Sequence, residues 1–232
     1  TRVIDASTAH RVAEGWTYGF PEMDAGHEAV IAQAKRVANT GCYAVASVSL
    51  LHPLVSAGLL PANFPATINA VSGYSGGGRQ MIEAFEDPNA AERIEAAVRV
   101  YGLGLGHKHV PEIHKFSGLD HAPIFVPSVA RYRQGMIVQI PVPLWSLPGA
   151  PKAKDLQAVL ADPQFLAGEV ATDFIESRPE LLEGKISAFI DRYGKLKDGR
   201  VFEKKRDKVR GGVEITFVDD MLGGVDVLAV MK

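Results

Sequence analysis

Cysteine is nearly missing from this chain of 232 residues: Cys42 is the single one. One thiol excludes an internal disulfide and a cysteine-rich zinc site, and it fits a reducing cytoplasm. No apolar run approaches the roughly 20 residues that a membrane span needs. Charge of one sign is missing as well. The formal net charge is −2, which gives no basis for binding nucleic acid or a membrane surface. There is no internal repeat and no low-complexity stretch. No charged-then-apolar leader opens the sequence, so the chain is expected to start inside a domain, with Val3-Ile4 as a strand already under way. A G-x-G-x-x-G dinucleotide fingerprint is also lacking. Gly102-Leu103-Gly104-Leu105-Gly106 comes nearest, but its third glycine would fall on His107.

What is there is ordinary globular material, 47% hydrophobic and 22% charged, enough for one large domain or two small ones. Apolar spacing predicts helices over 28–38, 42–57, 80–85, 155–160 and 180–193, with Pro53 expected to kink or stop the second. Residues 15–24 read as a loop rich in aromatics and glycine. Strands are expected over 66–71, 124–127 and 136–142. A Pro/Gly-rich break at 147–152 divides a catalytic domain, 1–145, from a C-terminal segment of separate character, 146–232. That segment carries a basic patch at 204–208. It closes in a hairpin, 213–218 against 225–230, across Gly223-Gly224. Strands and helices in no strict order argue for the α+β class, a mixed sheet with helices.

Three constellations could carry chemistry. Cys42 follows Gly41 at the predicted start of a helix, where free backbone N–H groups and the positive end of the helix dipole favour a thiolate. The competing reading is a small buried hydrophobe. His107 and His109 flank Lys108, with Glu112 close behind. The trio is open to three readings: a metal site, incidental loop histidines, or an acid/base imidazole serving the thiol. Ser72-Gly73-Tyr74-Ser75-Gly76-Gly77-Gly78 is a special backbone shape. Either it is a G-x-S-x-G elbow making Ser75 the nucleophile of a serine hydrolase, or its N–H groups cradle an anion with Arg79 adding charge. Against the elbow, no histidine occurs after His121.

In order along the chain, Val3-Ile4-Asp5-Ala6-Ser7-Thr8-Ala9-His10-Arg11, Asn39-Thr40-Gly41-Cys42-Tyr43, Asn69-Ala70-Val71-Ser72-Gly73-Tyr74-Ser75-Gly76-Gly77-Gly78-Arg79, and His107-Lys108-His109-Val110-Pro111-Glu112 resemble N-acetyl-gamma-glutamyl-phosphate reductases in their shorter bacterial form. The likeness covers about 1–142. It implies a catalytic domain like that of glyceraldehyde-3-phosphate dehydrogenase, and NADPH-linked reduction of an acyl phosphate in arginine biosynthesis. Cys42 would be the nucleophile that holds a thioester and His109 the acid/base. His107, Arg11, Ser72, Gly73 and Arg79 would bind the substrate. Members of the family place a dinucleotide-binding half ahead of the equivalent of residue 1. NADP(H) is therefore implied, although no motif for it is visible in this chain. The expected partners are a small-molecule substrate and further copies of the chain, not nucleic acid or membrane. Without a cofactor site, the alternative is a catalytically incomplete scaffold or substrate-binding remnant. Residues 155–182 resemble instead the end of a biotin carboxylase domain.

Overall fold

The structure, a computed structural model, describes residues 2–161, 214–218 and 226–231. The predicted helix over 180–193, the basic patch at 204–208 and the Gly223-Gly224 turn lie outside these residues, as does most of 155–182.

Two sheets organise the chain. The first is small and wholly parallel: β1 (Val3–Asp5), β3 (Arg36–Ala38) and β2 (Thr17–Tyr18), with β3 in the middle. The helix expected over 28–38 stops early. α1 spans His27–Gln33 and ends where Ala34 turns extended, with φ −65° and ψ 141°. The next residues are drawn into pairing on both sides, so Val37 and Ala38 serve as central-strand residues rather than as the end of a helical face. Tertiary pairing overrides local spacing here. The loop expected over 15–24 contains β2 and a short 3-10 turn, Pro21–Met23.

α2 (Cys42–Ser56) leaves the carboxyl end of β3 after three residues. Its propensity is mixed, with Val and Ser as frequent as Leu, and packing holds it: Tyr43, Ala44, Ala46, Val48, Leu50, Leu51 and Leu54 are all buried. Pro53 does not break it. The helix runs three residues past Pro53 and finishes with the Ala57 N–H donating to the Pro53 carbonyl at 2.9 Å.

The second sheet has six strands in the order β5-β6-β4-β7-β9-β8. These are β4 (Thr67–Gly73), β5 (Val98–Val100), β6 (Ile124–Ala130), β7 (Met136–Val142), β8 (Glu214–Val218) and β9 (Asp226–Met231). β4 and β6 are parallel and every other neighbouring pair is antiparallel, so the sheet is mixed, as expected. The closing strand pair appears as β8 against β9, and β9 continues the sheet from β7.

Three more helices complete the layer: α3 (Gly78–Glu86), α4 (Val110–Ser117) and α5 (Ala153–Ala161). α4 was not legible as a helix from apolar spacing. Its signals are Pro111 in the first turn and Gly118 just past the end at φ +80°. β5 is a second element that spacing missed, three residues long and exposed throughout.

One apolar cluster unites α2, α4, α5 and one sheet face. It contains Leu50, Leu54, Ile68, Ile113, Phe125, Val138, Ile140, Leu156 and Val159. Strand alternation divides the two faces cleanly. Ile68, Ala70, Val138 and Ile140 are buried against the helices. Thr67, Asn69, Val71, Ile137 and Gln139 point the other way and stay half-exposed. Register puts Val98, Val100 and Ile124 on this second face, each about half exposed (53%, 47% and 50%). Among the described residues no helix is long and apolar enough to cross a membrane.

Candidate active site at the start of α2

Cys42 is the first residue of α2, and Gly41 is its extended N-cap at φ −76° and ψ 143°. The residue types dictate this junction: an apolar helix follows directly on a glycine, with no capping side chain in between. The first N–H groups of the helix therefore lack intrahelical acceptors. Cys42 is exposed, unlike the buried residues that follow it, so the buried-hydrophobe reading does not hold.

Around Gly41 the space is full. A Cβ there would lie 2.5 Å from His109 Nε2 and 2.7 Å from Arg11 Nη1, so glycine is required and both groups stand against the cap of the thiol helix. Glu112 lies beneath them, almost wholly buried. Its Oε1 accepts from the Gly41 N–H at 2.7 Å and from the Tyr18 hydroxyl at 2.9 Å. Its Oε2 meets Arg11 Nη1 at 3.4 Å. Arg11 is fixed further by donating from Nε to the Asn39 carbonyl and from Nη2 to the Ala6 carbonyl. Desolvation, and then the adjoining carboxylate, push the Tyr18 hydroxyl far above its usual pKa, so it stays a donor.

His109 is buried, and burial holds its pKa down to about 3, with His107, Arg11 and Lys108 adding to the effect. It is a neutral imidazole in the folded chain. No described group partners its Nδ1, and Nε2 is the nitrogen that faces Gly41, where the neutral ring presents a donor in its Nε2–H tautomer and an acceptor in the other. His107 packs edge-on against His109, Tyr43, Tyr101 and Phe125, and its Nδ1 accepts the backbone N–H of His109 at 3.3 Å. Its pKa is lowered by burial and then by Lys108. A chain of hydroxyls extends the site: Tyr101 donates to Tyr43 at 3.3 Å, and Tyr43 donates to the buried Ser72 at 2.8 Å. Tyr101 is held neutral by burial, by that hydrogen bond and by the neighbouring Tyr43 and Cys42.

Arg11, His107, His109 and Ser72 thus gather around the head of α2, where Cys42 is the first residue, whereas Arg79 and Gly73 do not join them. Arg79 is exposed on α3 and pairs with Glu83 at 2.6 Å. The glycine loop is not an open anion cradle along its first half. The N–H groups of Gly73, Tyr74 and Ser75 donate to the carbonyls of Gly135, Tyr132 and Arg133 at 2.9–3.1 Å. A Cβ on Gly73 would lie 2.6 Å from the Arg133 carbonyl oxygen, so this glycine is required by the neighbouring turn. Ser75 sits in a 3-10 turn without the positive φ of a strained elbow, and no described histidine hydrogen-bonds it. Among the described residues no three His, Cys, Asp or Glu side chains converge on a metal position. Glu112, the carboxylate considered for one, has both oxygens engaged.

Residues 42–183 match the family described as semialdehyde dehydrogenase, dimerisation domain. An N-acetyl-gamma-glutamyl-phosphate reductase from Burkholderia ambifaria is 44% identical over 234 residues, covering 96% of this chain and 73% of the relative. The chain belongs to the N-acetyl-gamma-glutamyl-phosphate reductase family. A namesake from Burkholderia cenocepacia is 54% identical over 160 residues, 69% of this chain and 51% of its own length. The chain thus spans about half the length of the first curated relatives it matches. The longer alignment carries the likeness past residue 142, through the stretch 155–182 read above against a biotin carboxylase.

Among solved structures, aspartate semialdehyde dehydrogenase II from Vibrio cholerae superposes with a TM-score of 0.55 at 14% identity, over 99% of this chain and 66% of that one. Aspartate semialdehyde dehydrogenase with NADP from Candida albicans gives 0.50 at 13%, over 100% and 65%. At these identities the likeness establishes the fold, a mixed α/β arrangement shared with semialdehyde dehydrogenases. For NADP itself the described residues offer no fit. They contain no glycine fingerprint, the N–H groups of Gly73, Tyr74 and Ser75 are taken, and the Gly41 N–H at the head of α2 is held by Glu112.

Two outcomes follow from this geometry. Gly41→Ala should cut Cys42 acylation by an acyl phosphate by about 100-fold, since a misplacement near 1 Å costs that much; stopped-flow release of phosphate reads it. The second concerns pH. The folded chain keeps His109 neutral where the unfolded chain protonates it, so its stability contribution is complete above about pH 6.5 and is lost as pH falls toward 3. Urea midpoints at pH 7 and 4.5 should therefore fall further for the wild type than for His109→Asn. Parallel losses would contradict the buried neutral imidazole.

Proposed function

We propose that this chain supplies the thiol half of an NADPH-dependent reduction of N-acetyl-gamma-glutamyl phosphate to the semialdehyde, in the cytoplasm. The observation that carries the reading is the convergence of His109 Nε2 and Arg11 Nη1 on the cap of the helix that begins with Cys42. Family membership supports the substrate class, because relatives carry that reaction in their names. By the resemblance, the dinucleotide belongs to a half that family members place ahead of the equivalent of residue 1.

The acyl-transfer step follows from the residues present. Cys42 Sγ attacks the acyl carbon; a C–S bond forms, and the C–O bond to phosphorus breaks with its electron pair leaving on phosphate. The thiol proton is lost to solvent as the thiolate forms. His109 donates from Nε2 to the carbonyl oxygen while negative charge develops there, the most valuable point for a fixed donor in such chemistry. Arg11, whose guanidinium retains N–H groups beyond those it commits to protein, attracts the anionic substrate. His107 and Ser72 line the approach, with Ser72 polarised by Tyr43 and Tyr101. Arg79, with Gly73 and its loop, is a substrate contact only if a bound substrate draws the arginine from Glu83.

The step needs no cofactor, so it can be tested on the chain itself. Incubation with acetyl phosphate should add one acetyl group to Cys42, labile to hydroxylamine and seen by intact mass. Cys42→Ser should abolish it, and His109→Asn should slow it about 100-fold or more. A fluorophosphonate adduct on Ser75 in place of that thioester would favour the hydrolase, and neither adduct would leave a scaffold.

Self-association belongs to the same reading. The face of the six-stranded sheet that carries Val98, Val100 and Ile124 presents half-exposed apolar side chains beside Thr67, Asn69 and Gln139, within the region matching a dimerisation domain. A second copy is the occupant proposed for it. Sedimentation should give a dimer for the wild type and a monomer for Ile124→Lys, whereas a monomeric wild type would refute it.

A further inference from the structure

We infer that Glu112 is the positioning residue of the thiol site, setting by its reach where the first turn of α2 stands against His109 and Arg11. The inference rests on the acyl-transfer reading of Cys42 and deepens it.

The observations are geometric. Glu112 sits in the first turn of α4, one turn after His109, so one rigid helix start presents both the imidazole and the carboxylate. Oε1 holds the Gly41 N–H, the backbone donor immediately before Cys42, and shares that oxygen with Tyr18. Oε2 holds Arg11, which is tied in turn to the Asn39 carbonyl two residues before Gly41. The carboxylate thereby fixes both edges of the junction, and Tyr18, stacked on Phe116 of α4 at 3.8 Å, fixes the carboxylate. Gly41 has no slack: His109 and Arg11 already stand within 2.7 Å of where a Cβ would be. A shift of the cap by the length of one carbon–carbon bond changes the approach of the imidazole to any acyl group on Cys42. Both oxygens of Glu112 are committed to Gly41, Tyr18 and Arg11, so it acts through them.

Length, not charge, is therefore the property that matters, and two conservative variants separate the two. Glu112→Gln keeps the reach and an oxygen for Gly41 and Tyr18, while Arg11 retains the Asn39 and Ala6 carbonyls. Glu112→Asp keeps the charge and withdraws it by a methylene. The plateau rate of Cys42 acetylation by acetyl phosphate should fall in the order wild type, Gln, Asp, with Asp slower by about 10- to 100-fold. Half-saturating acetyl phosphate should move less than about threefold. Asp faster than Gln, or both equal to wild type, would overturn the inference while leaving the thioester reading intact. A wild type that forms no thioester would instead sink that reading.

Amide exchange of Gly41 in the unmodified protein decides the positioning contact in that event, and also if the variants fail to fold. A protected amide upholds the contact, and exchange at the free-peptide rate removes it.

Discussion

A carboxylate taken out of water costs several kcal/mol unless donors replace the water it loses. Glu112 meets that requirement with a backbone N–H, a phenol and a guanidinium, each drawn from a different part of the chain. Such a group adds little net stability, because desolvation and compensation nearly cancel. What it adds is specificity of placement: the small parallel sheet, the head of α2 and the head of α4 are satisfied together or not at all. Cys42 inherits its position from that agreement.

The rest of the architecture keeps the agreement in place. α2 is buried along most of its length, wedged between α4, α5 and the inner sheet face, so its first residue cannot drift. Phe125 from β6 supports Tyr43 and His107 edge-on, which carries the rigidity of the central strands into the histidine pair. The thiol nonetheless remains exposed at the carboxyl end of a parallel strand, the place where open α/β sheets receive ligands. Its histidine neighbour, by contrast, is dry and neutral. The permanent positive charge near the thiol comes from Arg11, since the buried imidazole carries none.

Local signals were readable and distant ones were not. The Gly41–Cys42 junction and the apolar residues of α2 identify the thiol helix, because capping and helix propensity act within a few residues. β4, β6 and β7 were legible from alternation for the same reason. The end of α1 was misread, since Val37 and Ala38 keep a helical spacing and are strand residues only because β1 and β2 flank them. The glycine loop is the clearest case of composition misleading. Glycines permit N–H groups to converge on an anion, yet at Gly73–Ser75 they permit contact with a turn some 60 residues later. Glu112 could be seen only as a candidate ligand. Its partners at positions 11, 18 and 41 share no spacing with it, and no periodicity links them.

That spacing has a consequence for how the molecule comes into being. Arg11 and Glu112 are 101 residues apart, and Gly41 lies 71 residues before Glu112. Chains emerge from the ribosome from the amino end, so Cys42 is outside long before its anchor is made. During that interval the head of the thiol helix lacks the carboxylate that holds the Gly41 N–H. The whole stretch from Arg11 to Glu112 must be made before the network can close, so the site matures as a property of segments far apart in the sequence.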